Sequence, residues 1–287
     1  MKWQQGRRSS NVEDRRGQSV SRGVAVGGGG VGILVLAVIV MLLGGDPSVL
    51  LQQVPTNPAP PTSTQTVPRS PAEEELADFV SVVLADTEDT WNALFREEFQ
   101  ADYPEPNLVL FSGQIDSACG FAQAAMGPFY CPIDQKVYID LSFYEDLRTR
   151  HQAPGDFAQA YVIGHEVGHH VQNTLSILSQ VRQAQQQMSQ VEANQLSVRL
   201  ELQADCFAGV WAHNADRTRD ILEQGDIEEA LNAASAIGDD RLQKQTRGHI
   251  TPDSFTHGSS AQRVRWFKQG FKTGDINQCN TFETANL

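Results

Sequence analysis

Apolar side chains recur every three or four positions over much of the chain beyond residue 72, which predicts amphipathic helices. The longest of these stripes is followed by Pro104 and Pro106, which end it, and acidic residues stand in its first turn. A helical pattern resumes at Asp156 and persists, with interruptions, toward the C-terminus. Helices are predicted at 73–99, from 156 onward, and at 176–198, 200–211, 227–237 and 260–270.

Two short segments have the composition of strands instead. Residues 108–111 and 136–141 are rich in β-branched and aromatic side chains, and a glycine-containing loop at 113–132 separates them. The chain therefore has a small sheet early and helices after it. This order predicts an α+β fold that is mostly helical.

A different pattern precedes this body. Residues 23–45 contain no charged side chain, although eight of the 23 are glycine. At about 1.5 Å of rise per residue, a helix of this length covers the roughly 30 Å of a bilayer's hydrocarbon layer. We expect a transmembrane helix at 23–45, and a cleaved signal peptide is the alternative.

The charged residues before this uncharged stretch are mostly basic, whereas those after it are mostly acidic. The net charge is −13, yet residues 1–45 hold six basic and two acidic residues. The positive-inside bias then predicts a cytoplasmic basic head at 1–22 and a periplasmic or extracellular body. The acidic body also disfavours nucleic acid as a partner.

Seven of the 13 prolines lie in residues 46–71, which indicates an extended linker before a folded domain at 72–287. All four cysteines lie in that domain, and an even number outside the cytoplasm favours two disulfides. Cys119 and Cys131 are the local pair. Cys206 with Cys279 would then attach the C-terminal tail to a helix.

The sharpest chemical feature is H-E-x-x-H at His165, Glu166 and His169, inside a helical pattern. Residues four apart share a helix face, so both imidazoles can bind one Zn²⁺. Glu166 is about 100° further round the helix. It can therefore act as a general base on water instead of binding the metal.

A catalytic zinc takes three protein ligands and leaves one position to water. Glu201 and Asp205 are four apart in another predicted helix. We expect Glu201 to be the third metal ligand and Asp205 to accept a hydrogen bond from a ligand imidazole. An ordinary solvated acidic pair is the alternative. His170 is interpreted as a hydrogen-bonded structural histidine, and His151 and His213 as surface residues.

Four segments together resemble the bacterial neutral zinc metallopeptidase family, and the resemblance covers nearly the whole chain. They are GHEVGHHVQ at 164–172, GPFYCP at 127–132, YIDL at 138–141 and QADCFAGVW at 203–211. The resemblance implies a single-pass membrane protein with an exported zincin-type domain. By analogy with zincins, the strand at 136–141 would be an edge strand that pairs with an extended substrate.

The chain is more distantly similar to zinc peptidases of the gluzincin type, which carry H-E-x-x-H, a later E-x-x-A-D and a Thr-His-Pro-Ser segment followed by Arg. Thr256-His257-Gly258-Ser259 and Arg263 resemble that last segment, with glycine in place of proline. The similarity implies that His257 or Arg263 stabilises the oxyanion, and His249 is a rival.

The sequence therefore predicts a membrane-anchored zinc peptidase whose partner is a peptide or protein substrate, with Glu166 and His257 as catalytic residues. Two alternatives stay open. One is a membrane-tethered scaffold or binding module that is stabilised by zinc. The other is a zinc amidase acting on a non-peptide amide of the cell envelope. The sequence does not give the oligomeric state.

Overall fold

The computed structural model describes residues 1–18 and 69–287. Met1–Arg16 and Arg69–Leu287 form one compact unit. The transmembrane helix expected at 23–45, and nearly all of the linker expected at 46–71, lie outside the described residues. Among the helices that are described, none combines the length and the apolar character that a membrane span needs.

A four-stranded sheet forms in the order β1-β2-β6-β5. Its strands are β1 (Val12–Asp14), β2 (Asn107–Phe111), β5 (Phe129–Cys131) and β6 (Lys136–Asp140). β1 and β6 both run parallel to β2, whereas β5 is antiparallel to β6. The two strands predicted from composition are therefore confirmed as neighbours, with Leu108 opposite Val137.

Two expectations about this region are wrong. The loop expected at 113–132 contains an antiparallel hairpin of β3 (Gln114–Ser117) and β4 (Gly120–Gln123), followed by β5. The strand at 136–141 is not an edge strand, because β6 lies between β2 and β5. Its residues Val137, Tyr138 and Ile139 are almost wholly buried, as expected for a strand with a neighbour on each side.

Residues 1–16 also differ from the expectation of a head separate from the body. β1 extends the sheet beside β2, and Trp3 packs edge-on against Phe79 with ring centroids 5.4 Å apart. The Met1 amino group lies 2.8 Å from the Asp156 carboxylate. These residues belong to the same packed unit as the domain that follows.

The mostly helical α+β character is confirmed by eight α-helices in the described residues. They are α1 (Pro71–Leu94), α2 (Ser142–Thr149), α3 (Asp156–Thr174), α4 (Ile177–Gln185), α5 (Gln190–Arg219), α6 (Asp226–Ala236), α7 (Asp239–Arg247) and α8 (Ser260–Thr273). A π-helical turn, Phe95–Phe99, extends α1.

The predicted helix boundaries at 176–198 and 200–211 are wrong. Ser189 and Glu192 form a capping box that starts α5 at Gln190, and the helix then continues unbroken for 30 residues. The glutamine-rich stretch is therefore divided between α4 and α5. The short α7 was not predicted.

Both expected disulfides form, Cys119–Cys131 and Cys206–Cys279. The first closes the hairpin region onto β5, and the second attaches the C-terminal segment to α5. The main core lies between α1, α3, α5 and α8, where large rings interlock. Trp91 meets Phe207 edge-on, and Phe157 stacks on Trp211.

Candidate metal centre

The two histidines of H-E-x-x-H lie on α3, on the face that packs against α5. Glycine makes this packing close. A Cβ on Gly168 would lie 3.0 Å from the Ala204 carbonyl oxygen, and one on Gly164 would lie 2.8 Å from the Trp211 ring. The absence of these two side chains lets α3 approach α5 closely, which brings the imidazoles of one helix to the acidic residues of the other.

The structure brings His165, His169 and Glu201 together, with one possible ligand atom from each residue within 4.8 Å of the others. The Nε2 atom of His165 is 3.2 Å from Glu201 Oε2, and the Nε2 atom of His169 is 3.5 Å from Glu201 Oε1. Both imidazoles therefore direct the same ring nitrogen toward one carboxylate.

The opposite nitrogen of each ring is held by its own acceptor. His165 Nδ1 lies 2.9 Å from Asp205 Oδ1, and His169 Nδ1 lies 2.9 Å from Gln172 Oε1. A carboxylate and an amide oxygen can only accept, so each Nδ1 carries a proton, and Nε2 is the nitrogen whose lone pair is available in the neutral ring. This is the tautomer that a metal ligand needs.

Asp205 is itself fixed within a buried network. Its side chain is fully buried, and it accepts hydrogen bonds from Arg263 Nε at 2.9 Å and Arg263 Nη2 at 2.8 Å. Tyr161 donates its hydroxyl to the same carboxylate. Arg263 is therefore engaged on the Nδ1 side of His165, although it also lines the cavity at the site, so the oxyanion role that the gluzincin resemblance gives to His257 or Arg263 stays a prediction for both.

The charges of the site shift its pKa values strongly. Burial lowers the pKa of His165, but the Asp205 carboxylate outweighs burial and raises it to about 10. Burial likewise raises the pKa of Glu201, yet His169 and His165 hold it well below its ordinary value. The cluster thus keeps its carboxylates ionised, which suits them to a cation.

The cluster opens into a cavity of about 610 Å³. Glu166 lines this cavity beside His165, His169 and Glu201, and no described side chain hydrogen-bonds to its carboxylate. Apolar side chains form much of the remaining wall. They include Met126, Pro128, Phe129, Phe143, Leu178, Val181, Ile237 and Leu242.

His257 lines the same cavity, and its charge acts on Glu201. Asp239, the first residue of α7, holds it in place. One Asp239 oxygen accepts the backbone N–H groups of Thr256, His257 and Gly258, and the other is 3.4 Å from His257 Nδ1. The hydrogen bond with Asp239 raises the pKa of His257 and favours its protonated form.

The other histidines fall into three settings. His170 is buried, with Tyr130 at its Nδ1 and the Pro104 carbonyl at its Nε2, so it is hydrogen-bonded as predicted. His213 is half-buried and donates its Nδ1–H to the Phe271 carbonyl, so it differs from the expected surface role, and His249 is exposed. His151 differs from the expected surface role, because it is half-buried and lines the cavity.

Sequence reasoning missed three residues that orient the site. Gln172 stands three positions after His169, and this helical spacing could have indicated it. Asp239 lies 18 residues before His257, and Tyr161 lies four before His165 on α3. Nothing in the local sequence marks Asp239, because its contact with His257 depends on how the segment before α8 folds back.

A second acidic group, Asp156, Asp226 and Glu229, also has closely spaced oxygens. The Met1 amino group contacts Asp156 and Asp226, so a cation of the chain itself already faces this group. It is not a further candidate for a metal.

Two imidazole nitrogens and one carboxylate, with orienting acceptors behind the rings, are the donor set of a catalytic zinc site. The residues present fit that metal. The α+β fold and this donor set together define a candidate metal-dependent hydrolase.

The chain belongs to the family described as "putative neutral zinc metallopeptidase", whose match covers residues 1–282. It is 54% identical to the uncharacterized protein YpfJ of Escherichia coli K12, over 98% of this chain and 99% of that protein. It is 41% identical to the uncharacterized proteins Rv2575 of Mycobacterium tuberculosis and Mb2605 of Mycobacterium bovis, over 86% of each chain. No solved structure matches the chain.

Proposed function

We propose that this protein is a zinc-dependent peptidase that hydrolyses peptide bonds with Glu166 as the general base. One observation carries the proposal: the Nε2 atoms of His165 and His169 converge on Glu201 at the wall of a large cavity that Glu166 also lines. A site that served stability alone would have no use for a fourth ionisable group beside three ligands.

His165, His169 and Glu201 would hold the metal. When bound, zinc would polarise the scissile carbonyl and lower the pKa of a water toward about 7. Asp205 and Gln172 keep both rings in the tautomer with Nδ1 protonated, so the ligand nitrogens need no rearrangement.

Glu166 would take the proton of the attacking water and pass it to the leaving amine. His257, kept protonated by Asp239, would donate to the oxygen on which negative charge develops. The apolar walls would bind side chains of the substrate. The strand β5 ends the four-stranded order, and its residues Phe129 and Tyr130 line the cavity, so β5 rather than β6 is suited to pair with an extended peptide.

We also propose that the unit folds outside the cytoplasm. Two disulfides that use all four cysteines support this, because such bonds persist in oxidising compartments. The membrane anchor at 23–45 remains a prediction.

Glu166→Gln tests the proposal, with Glu145→Gln on the exposed face of α2 as the control. We expect the first variant to retain zinc but lose 10²-fold or more of its cleavage of a peptide library, as general-base loss typically costs. The control should retain both its zinc and its cleavage of the peptide library. Cleavage by Glu166→Gln at the parent rate would refute the role, and loss of zinc would move Glu166 into the ligand set.

The same screen separates the two alternatives. Unfolding on chelation without hydrolysis of any substrate would indicate a zinc-stabilised scaffold. Hydrolysis of cell-envelope amides without cleavage of peptides would indicate the amidase.

A further inference from the structure

The first 16 residues, here called the N-terminal strap, use their basic side chains in ion pairs. Lys2 Nζ lies 2.7 Å from Asp220, and Arg7 Nη2 lies 2.8 Å from Glu88. Arg8 pairs with Asp78, and Arg16 pairs with Asp14 and Glu74. These are the charges that suggested a cytoplasmic head, and most of their partners belong to the body.

Glu88 shows that the body depends on the strap. Its side chain on α1 is only 1% exposed. Its carboxylate accepts hydrogen bonds from Arg7, from the Ser9 hydroxyl and from the Asn11 amide. All three donors are strap residues, so the strap supplies every described hydrogen-bond partner of this buried carboxylate, as a buried charge requires.

Backbone contacts bind the strap at both ends. The Lys2 N–H donates to the Ile221 carbonyl at 2.8 Å, and the Leu108 N–H donates to the Asn11 carbonyl at 2.8 Å. Beyond Asn11, β1 adds a parallel strand to β2. Without β1, the buried Leu108 and Leu110 would lie on an open sheet edge.

The middle of the strap packs as tightly as a core segment. A Cβ on Gly6 would lie 2.5 Å from a methyl carbon of Val82, so only glycine lets the backbone lie this close to α1. Trp3, 9% exposed, packs on Phe79 of the same helix. The family match also extends over this part of the chain.

We propose that the N-terminal strap and the unit that carries the candidate metal centre lie in one compartment, on the same side of any membrane. The strap is then a structural part of that unit, which is incompatible with the cytoplasmic head and the single membrane crossing at 23–45 that the charge pattern predicts. Hydrogen bonds of 2.8 Å and a shared sheet cannot form across roughly 30 Å of hydrocarbon. The inference does not depend on the proposed catalytic activity.

Cysteine accessibility in the full-length chain tests this inference. Gln5→Cys places a thiol at an exposed turn of the strap, and Gln187→Cys places one at an exposed turn of the body. Cells that produce either variant are treated with a maleimide that cannot cross the inner membrane, and lysed samples give the total reactive thiol. The parent chain, whose four cysteines are paired, is the blank.

We expect the two positions to behave alike, both labelled or both protected in intact cells, and both labelled after lysis. Labelling of one position but not of the other in intact cells would overturn the proposal.

A second measurement tests whether the strap is docked in the purified full chain. Trp3→Ala should lower the melting temperature by roughly 5 °C or more, as expected for truncating a buried tryptophan in a domain of this size. The neighbouring exposed Gln4→Ala should leave it unchanged. An unaltered melting temperature in Trp3→Ala would mean that the strap is not docked, and the proposal would fail.

Discussion

We expect Asp205→Asn to lower both the stability of the protein and its affinity for zinc, through two different contacts of the carboxylate. The substitution keeps the shape of the side chain but removes its charge. Arg263, 2% exposed, would lose the buried carboxylate that pairs with it, and one oxygen facing it would become an amide donor. Leaving such a charge unpaired costs about 3–5 kcal/mol.

The second effect acts on His165. The neutral amide is a weaker acceptor for Nδ1–H, so the ring is held less firmly and its Nε2 is a poorer ligand. Loss of an orienting partner typically weakens metal affinity 10- to 100-fold. That range corresponds to about 1.4–2.7 kcal/mol of binding free energy.

Denaturant unfolding of the metal-free protein would measure the loss of stability. Competition for zinc with a chromophoric chelator would measure the loss of metal affinity. Asp86→Asn is a matched control, because Asp86 also pairs with an arginine, Arg219, and with the Trp211 indole. None of these three residues lines the cavity. We expect the control to lose stability and to retain parent zinc affinity.

Two results would refute this reasoning. If Asp205→Asn bound zinc as tightly as the parent, the carboxylate would not orient His165. If the control weakened zinc binding equally, the loss would follow from general destabilisation and not from the orienting contact.

Three further predictions concern other parts of the fold. Replacing Cys206 and Cys279 by serine should lower the free energy of unfolding by about 4 kcal/mol in a denaturant titration, because the bridge spans 73 residues. Reduction of the parent should cost at least as much, because it also opens Cys119–Cys131, and an unchanged free energy of unfolding in the serine variant would contradict the prediction. Asp239→Asn should lower the pKa of His257, because it removes the carboxylate that favours the protonated ring. The alkaline limb of the pH–rate profile should therefore move to lower pH. An unmoved limb would argue against a role for protonated His257. Gly168→Val should push α3 away from α5, lower the free energy of unfolding by about 1–3 kcal/mol and weaken zinc binding. Unchanged stability together with the parent's zinc affinity would contradict the close packing.

The residues of the candidate metal centre could be predicted from the sequence because they are spaced one helical turn apart. His165 and His169 are one turn apart, and so are Glu201 and Asp205, so any helix through them places each pair on one face. The two central strands also followed from their composition, and the Cys119–Cys131 pair followed from the short separation of its two cysteines. These features depend on neighbours in the chain, and the pattern of residues contains that information.

Beyond the contacts of Glu201 and Asp205 with the two histidines, the sequence did not indicate which distant groups of the site would meet. Asp239 holds His257, and Arg263 faces Asp205, only because α7 and α8 pack where they do. The edge position of β5 depends on strand order, which no single strand specifies. The six basic residues before residue 45 predicted a membrane topology, but charge alone does not reveal the partners of those side chains. Only the tertiary structure shows that five of them, in residues 1–16, form ion pairs, since each pair depends on how the chain folds in space.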